Sequence, residues 1–438
     1  MRVRYALVVA SAAIMLLAVA AAIVLLLQVA PFHAESVALR IGIGLVLTFL
    51  VLLLVRYFVL LWLGFLQHVE ARDEEDAGAA LPPVTIVVPA YNEAPVIQQA
   101  IRSLLELDYP VYEILVVDDG SRDETYARAA ELEGRYGGVT VRVVSKANAG
   151  KASALNTGIA LARSPFVLCM DGDSRLARET LRAAMPHFAD PHVGAVAGNV
   201  KVVNRNNLWT RLQALEYIEG LNMARRAQGF ARVVNIIPGP IGIFRRETLT
   251  AVGGYDTDTF AEDADLTLKI LTAGWHVVYE ERAIAWTEAP ETLVDLIKQR
   301  YRWTRGILQA LRKRAGWLAA PRPGSGIGVW ISLQAMLFEA VIWPVMNVAG
   351  NLIFALAALE AGAAEYVAWW WMLLTLLDVA AALHSVAMEE EELSLVPYAV
   401  LYRLFFVATI DVTKLFATVE ELFRVRMTWG KLERAGRI

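Results

Sequence analysis

The sequence predicts an α/β domain on a mostly parallel sheet, flanked at both ends by transmembrane α-helices. Three observations carry that expectation. Of 438 residues, 57% are hydrophobic and the mean hydropathy is +0.45, above the roughly 45–50% apolar content of an ordinary soluble domain. The apolar excess sits at the two ends of the chain. The middle alternates short β-rich runs with helical periods, the pattern of strand–helix–strand units.

The first end holds residues 6–29, an uncharged apolar run. As a helix it is about 36 Å long at ~1.5 Å per residue, enough for a bilayer core of about 30 Å. A cleaved signal peptide is the alternative, but its apolar region would be shorter and a small-residue cleavage site would follow. A second apolar run, residues 41–66, is broken by Arg56. That arginine is expected to face protein or an interface. Residues 1–69 therefore read as a helical hairpin. The polar stretch EARDEEDAGAALPP (70–83) ends in Pro-Pro and marks a domain edge.

Residues 84–315 read as the α/β domain. TIVVPA, EILVVDD, VRVVS and PFVLCMD are the expected strands, with helices over 95–107 and 123–136 between them. The last region, 327–423, turns apolar again. Residues 339–359, 366–386 and 397–419 read as membrane segments, and 327–338 as a helix along the membrane surface. Trp369-Trp370-Trp371 suits an interfacial aromatic belt. Arg2 and Arg4 place the amino terminus in the cytoplasm, and two crossings return the α/β domain there. Three further crossings would put the basic tail, 424–438, outside, against the same rule. One of those segments is then interfacial or re-entrant, or one crossing is miscounted. The suspect is 397–419, which carries Arg403, Asp411 and Lys414.

The net charge of −4 argues against a nucleic-acid partner. The lone Cys169 permits no internal disulfide, and the six scattered histidines show no zinc spacing. The acids are better organised. PAYNE (89–93), VVDDGS (116–121) and CMDGDS (169–174) each end an expected strand, where ligands bind in parallel sheets. Turn chemistry accounts for any one of them, but less easily for several on one sheet edge. Asp171 and Asp173, separated by Gly172, can converge on one hard divalent cation. Asp119 offers a carboxylate to a base or ribose edge. Lys146 and Lys151 offer positive charge to phosphates, although the spacing is not that of a P-loop. FAEDADLTLKI (260–270) crowds three acids into a helix start. The helix dipole alone favours acids there, and a catalytic acid/base is the competing reading. QRYRW (299–303) is either a packed Arg-Trp pair or a phosphate fork beside a sugar platform.

Together DDG, DGD, ED and QxxRW occur in the order found in the family-2 processive glycosyltransferases, the cellulose, chitin, hyaluronan and poly-N-acetylglucosamine synthases, and the chain resembles that family. GAVAGNVKV (194–202), IFRRETLTAVGGYD (243–256) and ETLVDLIKQRYRW (291–303) look most like its poly-β-1,6-N-acetylglucosamine branch. The resemblance implies a GT-A-type nucleotide-diphospho-sugar transferase domain and an inverting, processive transfer. It implies Asp263 as general base with Glu262 beside it, and Asp171 and Asp173 on the diphosphate and Mg²⁺ or Mn²⁺. Tyr91, Glu93, Asp119, Lys151 and Arg302 would hold the nucleotide. Gln299, Arg302 and Trp303 would close the site, with Trp303 and Glu262 at the acceptor.

The implied partners are a UDP-sugar donor, a growing polysaccharide and the lipid bilayer, with room for a small membrane accessory subunit. The implied location is the bacterial inner (cytoplasmic) membrane, multi-pass, with the catalytic domain facing the cytoplasm. Two departures bear on the acceptor. Ala261 stands where many members have Thr, and IPGPIG (237–242) carries two prolines where relatives tend to have Ser-Gly or Cys-Gly. A β-glucan, chitin or hyaluronan synthase, a non-processive transferase acting on a lipid carrier, and a non-catalytic receptor or export component are the competing readings.

Overall fold

Val84–Ala90 is buried along its whole length, and its Val/Ile content suits a strand covered on both faces. The computed structural model describes residues 2–29, 37–73, 81–322, 326–360 and 365–425. Two long helices come first, α1 (Arg2–Val29) and α2 (Val37–Asp73). Then follow β1 (Val84–Ala90), α3 (Ile97–Leu104), β2 (Tyr112–Asp118), α4 (Thr125–Ala130), β3 (Gly134–Tyr136), β4 (Val139–Ser145), α5 (Lys151–Leu161) and β5 (Phe166–Cys169). The domain continues through β6 (Arg175–Leu176), α6 (Thr180–Ala184), β7 (Val193–Val202), α7 (Leu208–Glu216), α8 (Met223–Phe230), β8 (Gly242–Arg245) and α9 (Arg246–Val252). It closes with α10 (Glu262–Thr272), β9 (His276–Thr287) and α11 (Leu293–Lys313). The last helices are α12 (Ala315–Ala319), α13 (Gly326–Leu337), α14 (Trp343–Glu360), α15 (Glu365–Met388), α16 (Tyr398–Leu401) and α17 (Val407–Leu422).

Nine strands among the described residues form one sheet, in the order β3-β4-β2-β1-β5-β8-β7-β9-β6. The run β4-β2-β1-β5 is parallel throughout. β8 enters antiparallel between β5 and β7, and β7 pairs parallel with β9. Alternate residues of β1 face opposite layers, as the pleat requires. Ile86 and Val88 meet Ile97, Ile101 and Leu104 of α3; Val87 meets Ala154 and Leu155 of α5. Strand order reverses at β1, so the crevice beside its carboxyl end is where a ligand is expected.

The helix expected over 123–136 stops at Ala130. Gly137-Gly138 explains the difference: it closes a two-residue hairpin between β3 and β4, with Gly137 at φ 64°. The polar stretch that opens at residue 70 begins as helix, since α2 runs to Asp73; residues 74–80 lie outside the described residues, as does the tail from 426. The segment 327–338 is not a separate helix. α13 passes through a π-helical turn (Phe338–Ile342) directly into α14, and Val329, Leu333 and Met336 pack on the α/β domain. The Trp triplet divides between core and surface. Consecutive helical residues point about 100° apart, so Trp370 is fully buried, stacked on Phe354 with ring centroids 4.7 Å apart, while Trp369 is exposed.

Four helical runs among the described residues are long and apolar enough to cross a membrane: Thr48–Glu70, Gly326–Leu356, Val367–Met388 and Leu393–Leu422. Arg56, Glu339, Asp378 and Arg403 in these runs are paired inside the bundle. Arg56 meets Glu339 at 2.5 Å, and Arg403 and Tyr57 both donate to Asp378 at 2.5 Å.

The bundle is bolted to the sheet through Arg226 of α8. It is 1% exposed, and it pairs with Glu389, just past α15, at 2.6 Å and with Glu281 of β9. Glu389 also accepts from Asn199 of β7 at 2.6 Å. Removing one partner of a buried pair strands the other charge, at about 3–5 kcal/mol. Arg226→Met is therefore expected to lower the thermal unfolding midpoint of the detergent-solubilised protein sharply. A midpoint equal to that of the parent would show that this junction does not hold the two parts together.

Candidate active site

The cleft is assembled from the loops that follow β1, β2, β4 and β5, closed by α10 and α11. After β1, Asn92 takes a left-handed conformation (φ 54°) that Asn tolerates well. Its backbone N–H donates to Ser121 at 2.9 Å, and that of Glu93 donates to Thr125 at 2.8 Å, so Tyr91 and Glu93 are fixed against the β2 loop. After β2, the Asp119 carboxylate accepts from Lys146 Nζ at 2.6 Å, Ala149 N at 3.1 Å and Gly150 N at 2.7 Å. It therefore organises the KANAG loop from inside. Gly120 has φ 69°, and a Cβ there would lie 2.8 Å from Asn148 N. No other residue fits that turn.

The DGD loop leaves β5 and folds back on β1. A Cβ on Gly172 would sit 2.7 Å from Pro89 O, so only glycine allows the approach. Asp173 is buried and Asp171 half-buried. Lys151, the first residue of α5, spans the cleft: its Nζ lies 2.6 Å from Asp171 Oδ1 and 2.6 Å from Glu262 Oε1. One ammonium thus joins the DGD loop to the acidic helix start. A Cβ on Gly239, in the IPGPIG turn, would come within 2.9 Å of Asp171 Oδ2 and 3.1 Å of Lys151 Nζ, so that turn presses directly on the pair. The residues suit a hard divalent cation. Their donors are carboxylate oxygens, and Asp171 already pairs with a cation, the Lys151 ammonium.

Asp263 follows Glu262 in the first turn of α10. Burial pushes its carboxyl up to about 6, helped by the neighbouring Glu262 charge and opposed by Lys151. Thr267 donates to Asp263 O at 2.7 Å and accepts from Ile237 N at 2.9 Å, tying this turn to the IPGPIG segment. Asp265 points elsewhere and meets Lys313. Burial pushes the Cys169 thiol up to about 12, so it stays protonated and is no nucleophile.

α11 carries Gln299, Arg302 and Trp303. The Arg300 guanidinium stacks over the Trp303 ring at 4.2 Å, donates to Gln299, and is anchored on Glu216 at 2.5 Å. Tyr217 packs beside Trp303 at 6.5 Å. Burial holds the Tyr217 hydroxyl above its ordinary value, and Arg300, Glu216, Arg225 and Asp171 are among the charges acting on it.

Sequence reasoning missed Glu216, Tyr217 and Arg225; Arg300 and Gly239 lay inside QRYRW and IPGPIG without a role of their own. Arg225 is buried, donates to Ile236 O and Asn222, and lies within electrostatic reach of Asp263. The one signal for it was an Arg-Arg pair in an otherwise mild helix, MARRAQGF.

A family model described as "Glycosyltransferase like family 2" matches residues 82–306. Poly-beta-1,6-N-acetyl-D-glucosamine synthase from Staphylococcus epidermidis is 33% identical over 224 residues, which is 51% of this chain and 54% of that protein. The same enzyme from Staphylococcus aureus (strain COL) gives the same figures. The match spans about half the length of these curated relatives. Among solved structures, the mannosyltransferase PcManGT from Pyrobaculum calidifontis, in complex with GDP-Man and Mn²⁺, superposes with a TM-score of 0.59 at 23% identity, covering 89% of this chain and all of that one. At that identity the likeness bears on the fold.

An Asp263 acting as general base, with its carboxyl pushed up to about 6, would set the acid limb of kcat/KM for the free enzyme. Activity is expected to fall about tenfold per pH unit below that point. Lys151 lowers the Asp263 pKa, so Lys151→Met should move the limb to higher pH as well as reduce its plateau. A limb that stays in place in Lys151→Met would dissociate Lys151 from Asp263.

Proposed function

Because this chain belongs to glycosyltransferase family 2, we propose that it polymerises a β-linked polysaccharide from a UDP-sugar, with UDP-N-acetylglucosamine as donor, and passes the product across the membrane. The observation that carries this reading is the Lys151 bridge. It brings Asp171 of the DGD loop and Glu262 of the acidic helix to one ammonium, with Asp263 next to them and held near pH 6.

In this reading the acceptor hydroxyl lies on Trp303 and gives its proton to Asp263. Its oxygen attacks the anomeric carbon, and the bond from that carbon to the diphosphate oxygen breaks. UDP leaves with the electron pair. A single displacement of this kind inverts an α-linked donor to a β-linked product and needs one base, without the second carboxylate nucleophile of retaining hydrolysis. Lys151 and Arg302 supply positive charge to the diphosphate as it leaves. Asp171 and Asp173 would hold Mg²⁺ or Mn²⁺, which neutralises the same group when bound. Tyr91, Glu93 and Asp119 form the nucleotide end of the cleft.

Translocation is supported by a column of polar groups running from the acceptor platform into the helical bundle. Behind Trp303 and Arg300 come Glu216 and Tyr402, and Tyr402 is within electrostatic reach of Glu219, Asp378 and Arg56. A buried chain of carboxylates, guanidinium groups and phenols offers hydrogen bonds to sugar hydroxyls where lipid-facing helices would offer none. The α/β domain then faces the cytoplasm, where nucleotide sugars are made. A lipid-carrier transferase needs no such column.

Asp263→Asn is expected to lower turnover of UDP-N-acetylglucosamine by at least ~10²-fold, the usual cost of losing a general base. Full turnover by that variant would remove Asp263 from the mechanism. Membranes given labelled UDP-N-acetylglucosamine should yield long chains, sized by gel electrophoresis. Products that stop at one added sugar would sink the polymerase reading and favour the lipid-carrier one.

A further inference from the structure

Close to the cleft, but outside it, the described residues hold a second dense group of charges. Asp256, Asp258 and Asp265 bring one carboxylate oxygen each within 4.8 Å of one another. That spacing would suit a metal ion, but the group already encloses a cation. Lys313 Nζ lies 3.0 Å from Asp256 Oδ2 and 2.9 Å from Asp265 Oδ2, and it also donates to Asp258. Lys269 reaches Asp256 Oδ1 at 2.7 Å, and Arg314 lies 3.5 Å from Asp265 Oδ1.

The position of this group gives it a task. Asp265 is fully buried in α10, two residues after Asp263. Lys313 is the last residue of α11, the helix that carries Arg302 and Trp303. Between those ends α11 grips the same segment twice more. A Cβ on Gly306 would fall 2.5 Å from Ala261 N and 2.9 Å from Phe260 C, so the helix touches backbone there. Gln309 Oε1 accepts from Phe260 N at 3.2 Å. Gly306, Gln309 and Lys313 follow helical spacing and form one face of α11.

We propose that Lys313 is a positioning residue for the transfer reaction: it clamps the carboxyl end of α11 to the helix that carries Asp263, and so fixes the base relative to Arg302 and Trp303. The proposal rests on the reading of Asp263 as the base. Without the ammonium, three carboxylates face one another with only Lys269 and Arg314 nearby. Like charges at that distance repel, and the one that cannot reach water is the one on the catalytic helix. The helix start shifts, and the base moves with it. Tyr91, Glu93, Asp119, Asp171 and Asp173, which hold most of the donor in that reading, sit on other loops and stay in place.

The test measures kcat and KM for UDP-N-acetylglucosamine with the full detergent-solubilised chain. Lys313→Met should lose about 10- to 100-fold in kcat, the scale of a misplacement near 1 Å, with KM little changed. Lys313→Arg, which keeps the charge, should restore most of the loss. Adding Asp265→Asn to Lys313→Met should recover part of it, because it removes the buried unpaired charge. If methionine prevents folding, judged by gel filtration, Lys313→Gln takes its place with the same expectation. A loss confined to KM, or equal losses in Lys313→Met and Lys313→Arg, would overturn the proposal. So would parental kcat in Lys313→Met beside an inactive Asp263→Asn. Full turnover by Asp263→Asn would overturn the base reading first, and the proposal with it.

Discussion

One ammonium group, Lys151 Nζ, lies 2.6 Å from a carboxylate on each side, and the cleft depends on it. Asp171 comes from the loop after β5, and Glu262 and Asp263 from the first turn of α10. Unit charges ~4 Å apart interact by about 4 kcal/mol at the effective dielectric of a protein surface. Three carboxylates could not gather at such distances without a cation among them. Lys151 supplies it from the amino-terminal turn of α5, where Gly150 takes φ 90° to start the helix. Its side chain is still 38% exposed, so the charge is open to an incoming diphosphate. An arriving divalent cation would take over part of the same neutralisation. The arrangement therefore serves two states of the cleft with one side chain, and it leaves Asp263 as the acid whose charge is least well satisfied.

The helical bundle, whose long runs are apolar enough to cross a membrane, obeys the same rule. Charges there must be paired or line a polar space. Three π-helical turns, Tyr217–Asn222, Phe338–Ile342 and Tyr402–Phe406, each contain a charged residue: Glu219, Glu339 and Arg403. A π turn widens the helix by one residue and redirects the side chains beside it. Here the redirected groups face one another or their partners Arg56, Tyr57 and Asp378. The first turn belongs to the α/β domain and the other two to the bundle. The polar column is thus shared by both parts, and it is built from local departures from the α-helix.

What could be read from the sequence was what short-range chemistry dictates. Acids at the ends of β2 and β5 follow from strand patterning plus a turn, and FAEDADLTLKI begins α10 at Glu262. Long-range pairing was not legible. Nothing in AEDAD says that its last acid turns away to Lys313, 48 residues on, because both pairings need the tertiary fold. Nor does QRYRW reveal that Arg300, between the motif residues, is the arginine stacked on Trp303. The apolar bias of GIF in β8 fits a buried strand of either direction, so its antiparallel entry into the sheet was hidden too. The early end of the helix after Asp123 had a visible cause, the Gly-Gly hairpin, and helical rotation alone separates the rings of the Trp triplet.

Ala261 shows how a departure from relatives can be absorbed. A threonine there would offer a hydroxyl beside Glu262 and Asp263, and this chain has none. The backbone N–H of Ala261 instead donates to Thr259 Oγ1 at 3.3 Å, so a hydroxyl two residues earlier orients the same turn. The small side chain has its own consequence. Ala261 is buried against α11 at Gly306, where even a methyl group would fall 2.5 Å from Ala261 Cβ. Two small residues facing each other let a helix meet the loop at backbone distance, and backbone contacts are stiffer than contacts between long side chains. The helix start is then held by Gly306 and Gln309 from one direction and by Lys151 from the other. A hydroxyl can be given up at position 261 because the position of Asp263 is set by packing and charge on both sides, and the small side chain is part of that packing.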